Sequence, residues 1–380
     1  MRPTFAVTAQ SAPSGTVAPS IALPGVKRRD VAAPKRGSLR GVLGMQLERL
    51  DFSALGEEAF VPDTDTRSNA LFVLEEWKGP ALTLSAGARI ERVRVASQGD
   101  APDAPEPRFG AATPRRFTPG SAMLGATVPL GSDWAVTANV GRTQRAPTYY
   151  ELYANGVHVA TGAYEVGDSA LGAERSTHAE LGLQWRAGVS QLKAQLFATR
   201  FARYIALDAT GNTVDIVNDE GETESFPEYA FRAVPARLHG LELEGRTKLV
   251  SAPWSIDLTG ALDLVRGTNR ATGEPLPRLP PLRARVGLEA SQGPWTAGLT
   301  VRHLARQTRV PATDVATPGA TLVDASLSWR QRWGEADTLV FLRLDNLGDE
   351  LAFNAAALRS ARELSPLPGR SATLGLRVAW

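Results

Sequence analysis

The chain has 380 residues, and its 42 Lys and Arg against 40 Asp and Glu leave a formal net charge of +2. Charge this balanced excludes a nucleic-acid binder, whose affinity comes from neutralising phosphates. With no cysteine and only four histidines, disulfides, thiolate nucleophiles and cysteine-held zinc or iron–sulfur sites are excluded, and any metal is left to His and carboxylates.

No window approaches the ~18 uncharged apolar residues of a spanning helix, and the mean hydropathy is slightly negative. A strand-built membrane protein stays open, because barrel strands hide their apolar half in alternation. The first residues, Met1-Arg2-Pro3 and then polar, Pro-rich sequence, lack the apolar segment of a secretory signal. If the protein is exported, its beginning is expected to be missing.

Residues 1–38 are rich in Pro, Ala, Ser and Gly, with Lys27, Arg28 and Arg29 together, and read as a flexible segment. From Leu39 onward short alternating runs take over. They predict about fourteen strands, near 39–50, 68–77, 81–95, 121–130, 133–142, 175–187, 190–205, 229–250, 254–266, 281–291, 295–305, 319–331, 337–346 and 371–380. The connections alternate strictly between two kinds. Short ones fall at 78–80, 131–132, 187–188, 251–253, 291–294 and 331–335; long ones at 51–67, 96–120, 143–174, 208–228, 267–280, 306–318 and 347–370. Tight turns at one end and long loops at the other are the pattern of an antiparallel up-and-down transmembrane β-barrel, and the fold class expected is all-β.

Within the strands one face is apolar and the other charged. Trp254, Ile256, Leu258, Leu262 and Leu264 alternate with Ser255, Asp257, Thr259 and Asp263; Leu241 and Leu243 alternate with Glu242, Glu244, Arg246 and Lys248. A soluble sandwich alternates too, so the aromatic residues decide. Trp77, Trp134, Trp185, Trp254, Trp295, Trp329, Trp333 and Trp380 all lie beside a short turn or at the chain end. Tyr149, Tyr150, Tyr153, Tyr164, Tyr204 and Tyr229 all lie in or beside long loops. Amphipathic rings favour the headgroup level, so two interfacial girdles are expected, with outer-membrane lipid as the surrounding partner. The last strand carries Leu374, Leu376, Val378 and Trp380 on one face, similar to the C-terminal targeting strand that barrel-assembly machinery reads.

The long loop at 143–174 bears the most distinctive sequence. Arg145, Pro147, Glu151 and Leu152 precede it, and Leu171, Glu174, Ser176, Glu180, Leu181 and Gly182 follow. These residues resemble the barrel signature of TonB-dependent outer-membrane receptors. Asp51-Phe-Ser-Ala-Leu-Gly-Glu-Glu-Ala-Phe-Val-Pro62, Asn155-Gly-Val-His-Val-Ala-Thr161 with Tyr164-Glu165, Arg237-Leu-His-Gly-Leu-Glu-Leu-Glu244 and Pro366-Leu-Pro-Gly-Arg370 resemble the branch that includes zinc-uptake receptors. The resemblance implies an outer-membrane location and a barrel of about twenty-two strands filled by an N-terminal plug. It also implies uptake of a metal ion or small chelate, with a TonB-type coupling protein as partner. Against that pattern residues 39–380 read as the C-terminal part of such a barrel, with plug, signal and coupling box not in evidence.

The resemblance implies a metal role for the His-bearing loop, and His158 with Glu165, close to Glu151, Tyr164 and Asp168, can contact Zn²⁺ or a similar divalent ion without sulfur. A solvated loop pair is the alternative. No intrinsic cofactor is expected. His178, His239 and His303 read as lumen or rim residues. Ser176, His178 and Glu180 share a strand face at about 6–7 Å spacing, too far for a nucleophile–base hydrogen bond, and no G-x-S-x-G or phosphate loop occurs, so the protein is not expected to be an enzyme. Two other readings remain open, a self-contained passive channel of about fourteen strands and a non-functional receptor fragment with an unpaired edge.

Overall fold

The computed structural model describes residues 29–31, 38–53, 59–100, 107–217 and 221–380. Of the 1–38 segment, Arg29–Val31 form a short strand, β1. The rest up to residue 37, Lys27 and Arg28 included, lies outside the described residues, as do 54–58 of the Asp51 to Pro62 stretch.

β2 (Ser38–Phe52), β3 (Thr64–Lys78) and β4 (Thr83–Ser97) open the structure, followed by the short β5 (Pro114–Phe117), then β6 (Gly120–Leu130) and β7 (Trp134–Arg145). A helix, α1 (Tyr149–Tyr153), and a hairpin of β8 (Asn155–His158) and β9 (Ala163–Val166) interrupt. The strands resume as β10 (Glu174–Ala187), β11 (Ser190–Val217), β12 (Thr223–Val250), β13 (Ser255–Asn269), β14 (Arg283–Gln292), β15 (Trp295–Leu304), β16 (Ala320–Trp333) and β17 (Ala336–Asp345). A single helical turn, α2 (Arg359–Arg362), precedes β18 (Ser371–Ala379). All 18 strands belong to one sheet. Four of them, β1, β5, β8 and β9, are short pieces of three or four residues; the remaining fourteen are an antiparallel, up-and-down transmembrane barrel wall.

Period-two alternation fixes the register of that wall, because a one-residue slip would turn every leucine inward. Ala138, Leu181, Leu196, Leu241 and Leu264 face one another in a single rung across β7, β10, β11, β12 and β13. The intervening residues point into the lumen, where Asn139 Nδ2 donates to Glu180 Oε1 at 3.1 Å, and Arg246, Arg283 and Arg302 reach Asp257, Asp263 and Asp324. At the short-turn end Trp134 pairs with Trp185, their rings 6.1 Å apart. Trp295 pairs with Trp329, whose ring meets Trp333 edge-on at 6.2 Å. By strand parity all eight tryptophans share the outward face at that rim.

The tyrosines differ from expectation. Tyr229 is buried with Phe231, Leu152 and Ile205, and Tyr149 and Tyr153 pack against the same cluster. They do not ring the membrane, because the long loops fold into a body of their own and recruit these rings as its core. The 208–228 loop differs too, since β11 and β12 run on through it as a hairpin 28 residues tall on each side. Of the two end strands, β2 pairs with β3 and β1, and β18 with β17; no register joins β18 to β2 among the described residues. Their outward leucines are accordingly bare, Leu43 at 77% and Leu374 at 76% exposure.

Gly182 faces Thr137 on the lumen side of β7 and β10, and a Cβ on it would fall onto Thr137 Oγ1. Gly182→Ala is expected to lower stability to urea in lipid by about 1–3 kcal/mol. Thr137→Ala, which removes the obstructing oxygen, should restore most of that in the double variant. Additive losses would show that the contact is not the cause.

Candidate functional site: a clamped loop cap

The signature residues converge at the base of the 146–173 loop. Arg145, the last residue of β7, lies between two carboxylates. Its Nη1 and Nη2 donate to the two oxygens of Glu151 at 2.8 and 2.9 Å, and its Nε and Nη2 to those of Glu174 at 3.1 and 3.2 Å. Glu151 sits in the first turn of α1 and also accepts the Thr148 N–H at 2.7 Å. Glu174 opens β10 and accepts the Ile205 N–H of β11 at 2.9 Å. One guanidinium fork therefore ties β7, α1, β10 and β11 together, a task its planar, bidentate geometry suits better than an ammonium does. Pro147, Leu152 and Leu171 are buried around the clamp. Glu180 and Gly182 lie further down β10, facing the lumen. The signature residues thus divide between a clamp with its apolar packing and the wall of β10 below it.

Above the clamp the loop becomes part of the sheet. β13 stops pairing with β12 at Asn269 opposite Ala236, and β9 takes the vacated side of β12 in parallel register, with Tyr164, Glu165 and Val166 opposite Glu228, Tyr229 and Ala230. His158 closes β8 at the turn of this hairpin and meets Glu165 of β9 directly, His158 Nδ1 to Glu165 Oε1 at 2.9 Å. Thr161 Oγ1 donates to the same oxygen at 3.1 Å, and the imidazole stacks on Phe60 at 4.2 Å. Glu165 is buried and His158 partly exposed. His158 Nε2 and Glu165 Oε2 remain for a ligand, and no group of three His, Asp or Glu donors occurs among the described residues. Tyr164 and Asp168 do not join them; Tyr164 Oη donates to Asn155 Oδ1 at 2.9 Å, and Asp168 caps its own turn through the Ala170 N–H.

Several cap residues carried no sequence signal. Ser360, in α2, donates to the Thr161 carbonyl at 2.6 Å, joining segments 199 residues apart. Arg362, only 3% exposed, forks onto Asp314 at 2.8 and 3.0 Å and donates to the carbonyls of Val315 and Ala357. These contacts lock the 305–319 and 346–370 loops onto the His158 hairpin. Asp100 holds a further strap by accepting the backbone N–H groups of Arg108, Phe109 and Gly110 at 2.7 to 3.0 Å. The Arg108 carbonyl in turn accepts from Asn155 Nδ2 at 2.7 Å, at the first residue of β8. Desolvation opposes ionisation of Asp100, yet those three N–H groups and the Arg108 charge outweigh it and hold the carboxyl below its ordinary range.

Replacing Arg145 by Lys keeps the charge and loses the fork. Proteolysis within residues 146–173 is expected to accelerate, matching about 2–4 kcal/mol of lost local stability once its partial exposure is discounted; an unchanged cleavage rate would remove the clamp from the account. The Asp100 strap has a pH signature. A depressed carboxyl pKa contributes stability that is fully present above the unfolded value of about 3.9 and is lost as pH falls through the folded value. Amide-exchange protection at Phe109 and Gly110 should therefore fade only below about pH 4, and Asp100→Asn should make it independent of pH.

Residues 33–347 match the family described as TonB dependent receptor-like, beta-barrel. Solved structures that share the fold include the copper transporter OprC, with 19% identity, 90% of this chain and 54% of that one covered, and a TM-score of 0.67. The ferric citrate transporter FecA, unliganded, gives 16% identity, 93% and 52% coverage, and 0.66. The Serratia marcescens hemophore receptor HasR, in complex with its hemophore HasA and heme, gives 19%, 92% and 57%, and 0.60. The chain thus spans about half the length of these structures, all of transporters or receptors. With its wall, its alternating connections and its Arg145 clamp in place, the chain belongs to the TonB-dependent receptor β-barrel family.

Proposed function

We propose that the chain supplies much of the wall and the ligand-gathering loops of an outer-membrane receptor that takes up a metal ion or small metal chelate. The observation that supports this most is the loop cap. Segments from five separate long connections pack into one buried cluster over the lumen, a structure that a passive pore has no need of. The names of the neighbours, a copper transporter, a ferric citrate transporter and a hemophore receptor, favour the same class of cargo. A TonB-type coupling protein is the partner expected once the remaining length of a receptor is supplied. The outward Leu374, Leu376, Val378 and Trp380 of the last strand suit recognition by barrel-assembly machinery.

Zinc is the cargo this reading favours within that class. His158 and Glu165 offer one imidazole nitrogen and one carboxylate oxygen from a partly enclosed position, a borderline-soft pair suited to Zn²⁺. Two donors hold a transiting ion weakly, and further ligands would come from the rest of the receptor or from a chelator. The closed fourteen-strand channel is not favoured, because β2 and β18 share no register. A fragment that never inserts would show no heat-modifiable band in outer-membrane fractions.

In a receptor carrying this chain with its plug and remaining strands, His158→Ala and Glu165→Ala are each expected to weaken zinc binding about tenfold, the equivalent of one lost ligand contact of about 1.4 kcal/mol. Copper and ferric citrate serve as comparison cargoes. Unchanged zinc affinity in both variants removes zinc from the proposal and leaves the chelate class standing.

A further inference from the structure

The upper part of β11 has a neighbour on one side only. Within the wall it lies between β10 and β12, but β10 pairs with it no further than Arg175 opposite Arg203. Just above, Ile205 and Leu207 are buried in the cap cluster, and the Ile205 N–H is taken by Glu174. Higher still, Thr213 to Val217 pair with Pro227 to Thr223 of β12, and among the described residues no strand lies on their other side. These five residues are exposed apart from half-buried Val214. Their free edge is about 16 Å long.

The two sides of this hairpin are not alike. On β12 the outer side is covered by β9 at Glu228 to Ala230, and the next residue towards the tip is Pro227, which cannot donate to a further ladder. From Ala206 to Val217 β11 has no Pro, Lys or Arg, the residues that commonly guard an edge. Thr213, Val214, Ile216 and Val217 are β-branched, which favours extended pairing. The irregular step in the register, between Ala209 and Thr213, lies below them. Ile216 and Val217 point to opposite faces, yet are 37% and 66% exposed, so both faces of the tip stand in water.

Charge sets what fits that edge. Between Asp208 and Phe231 the sequence has seven Asp and Glu and no Lys or Arg, in a chain whose net charge is +2. Asp215 accepts from Ser225 Oγ, and neither Asp215 nor Glu224 meets a cation among the described residues.

We propose that the free edge of β11 from Thr213 to Val217 binds an extended, lysine- or arginine-bearing segment of another protein, which adds to the hairpin as a further strand. Main-chain hydrogen bonds to the edge supply affinity, and the acidic tip selects basic side chains. A second copy of this chain does not fit. In one membrane every copy holds β11 rising in the same sense, so two such edges cannot pair antiparallel, and both carry the same negative charge. The inference rests on the hairpin and not on which cargo the receptor carries.

A short labelled peptide of alternating valine and lysine, titrated onto the full chain in detergent micelles, is expected to bind and to slow amide exchange at Thr213 to Val217. Binding should be lost when glutamate replaces lysine. It should also be lost when alternate backbone nitrogens of the lysine peptide are methylated, which keeps the charge and removes the ladder. Asp215→Asn with Glu224→Gln should weaken the lysine peptide about three- to tenfold, as expected for two exposed charge contacts. Undiminished affinity of the methylated peptide would reduce the contact to charge alone. Unchanged affinity in the double variant would put the contact elsewhere, and self-association of the chain that the peptide displaces would make a second copy the occupant. Each of these results overturns the proposal.

Discussion

A wall immersed in hydrocarbon has no water to satisfy its backbone, so each N–H and C=O must find a partner within the wall itself. The registers from β2 to β18 meet that demand everywhere but along the outer edges of β2 and β18, and much else follows from it. A strand fully committed to its neighbours has only two faces to offer, and one of them belongs to lipid. The leucines that would form a core in a soluble protein are turned outward, and the lumen side carries paired charges and small residues. The main hydrophobic core forms above the wall, where Leu152, Ile205, Tyr229 and Phe231 come together.

Joining that core to the wall requires something stronger than apolar contact, because the junction lies at the mouth of a polar lumen. Arg145 serves by carrying hydrogen bonds to both Glu151 and Glu174, which in turn hold the backbone of α1 and β11. The cap above repeats the device at longer range with Arg362 and Asp314. Charge and geometry fix where the loops sit, and apolar burial stabilises the body they form.

The wall was legible because period two is imposed by lipid on one side and water on the other, residue after residue; all fourteen expected strands are present, with ends displaced by only a few residues outside the tall hairpin. The cap was not legible in the same way. From Gly211 to Val217 and from Gly221 to Ser225 nearly every residue is exposed whichever face it is on, the alternation lapses, and Gly211 and Pro227 read as loop although β11 and β12 pair as far as Val217 and Thr223. β8 and β9 are four residues each and exist because β13 ends and leaves β12 a free side. Arg362 and Asp314 are 48 residues apart, with no local pattern to link them. His158 and Glu165 were expected near one another and do meet. The tyrosines mark the limit of reading residue type alone, since an amphipathic ring fits a headgroup layer and a loop core equally well.

The height of the β11 and β12 hairpin has a consequence for how such a receptor meets the world. From Arg200 to Val217 the strands climb about 40 Å when tilted as barrel strands are. Whatever approaches from the loop side therefore meets Ile216, Val217, Thr223 and Glu224 before it reaches the clamp or the cap beneath them.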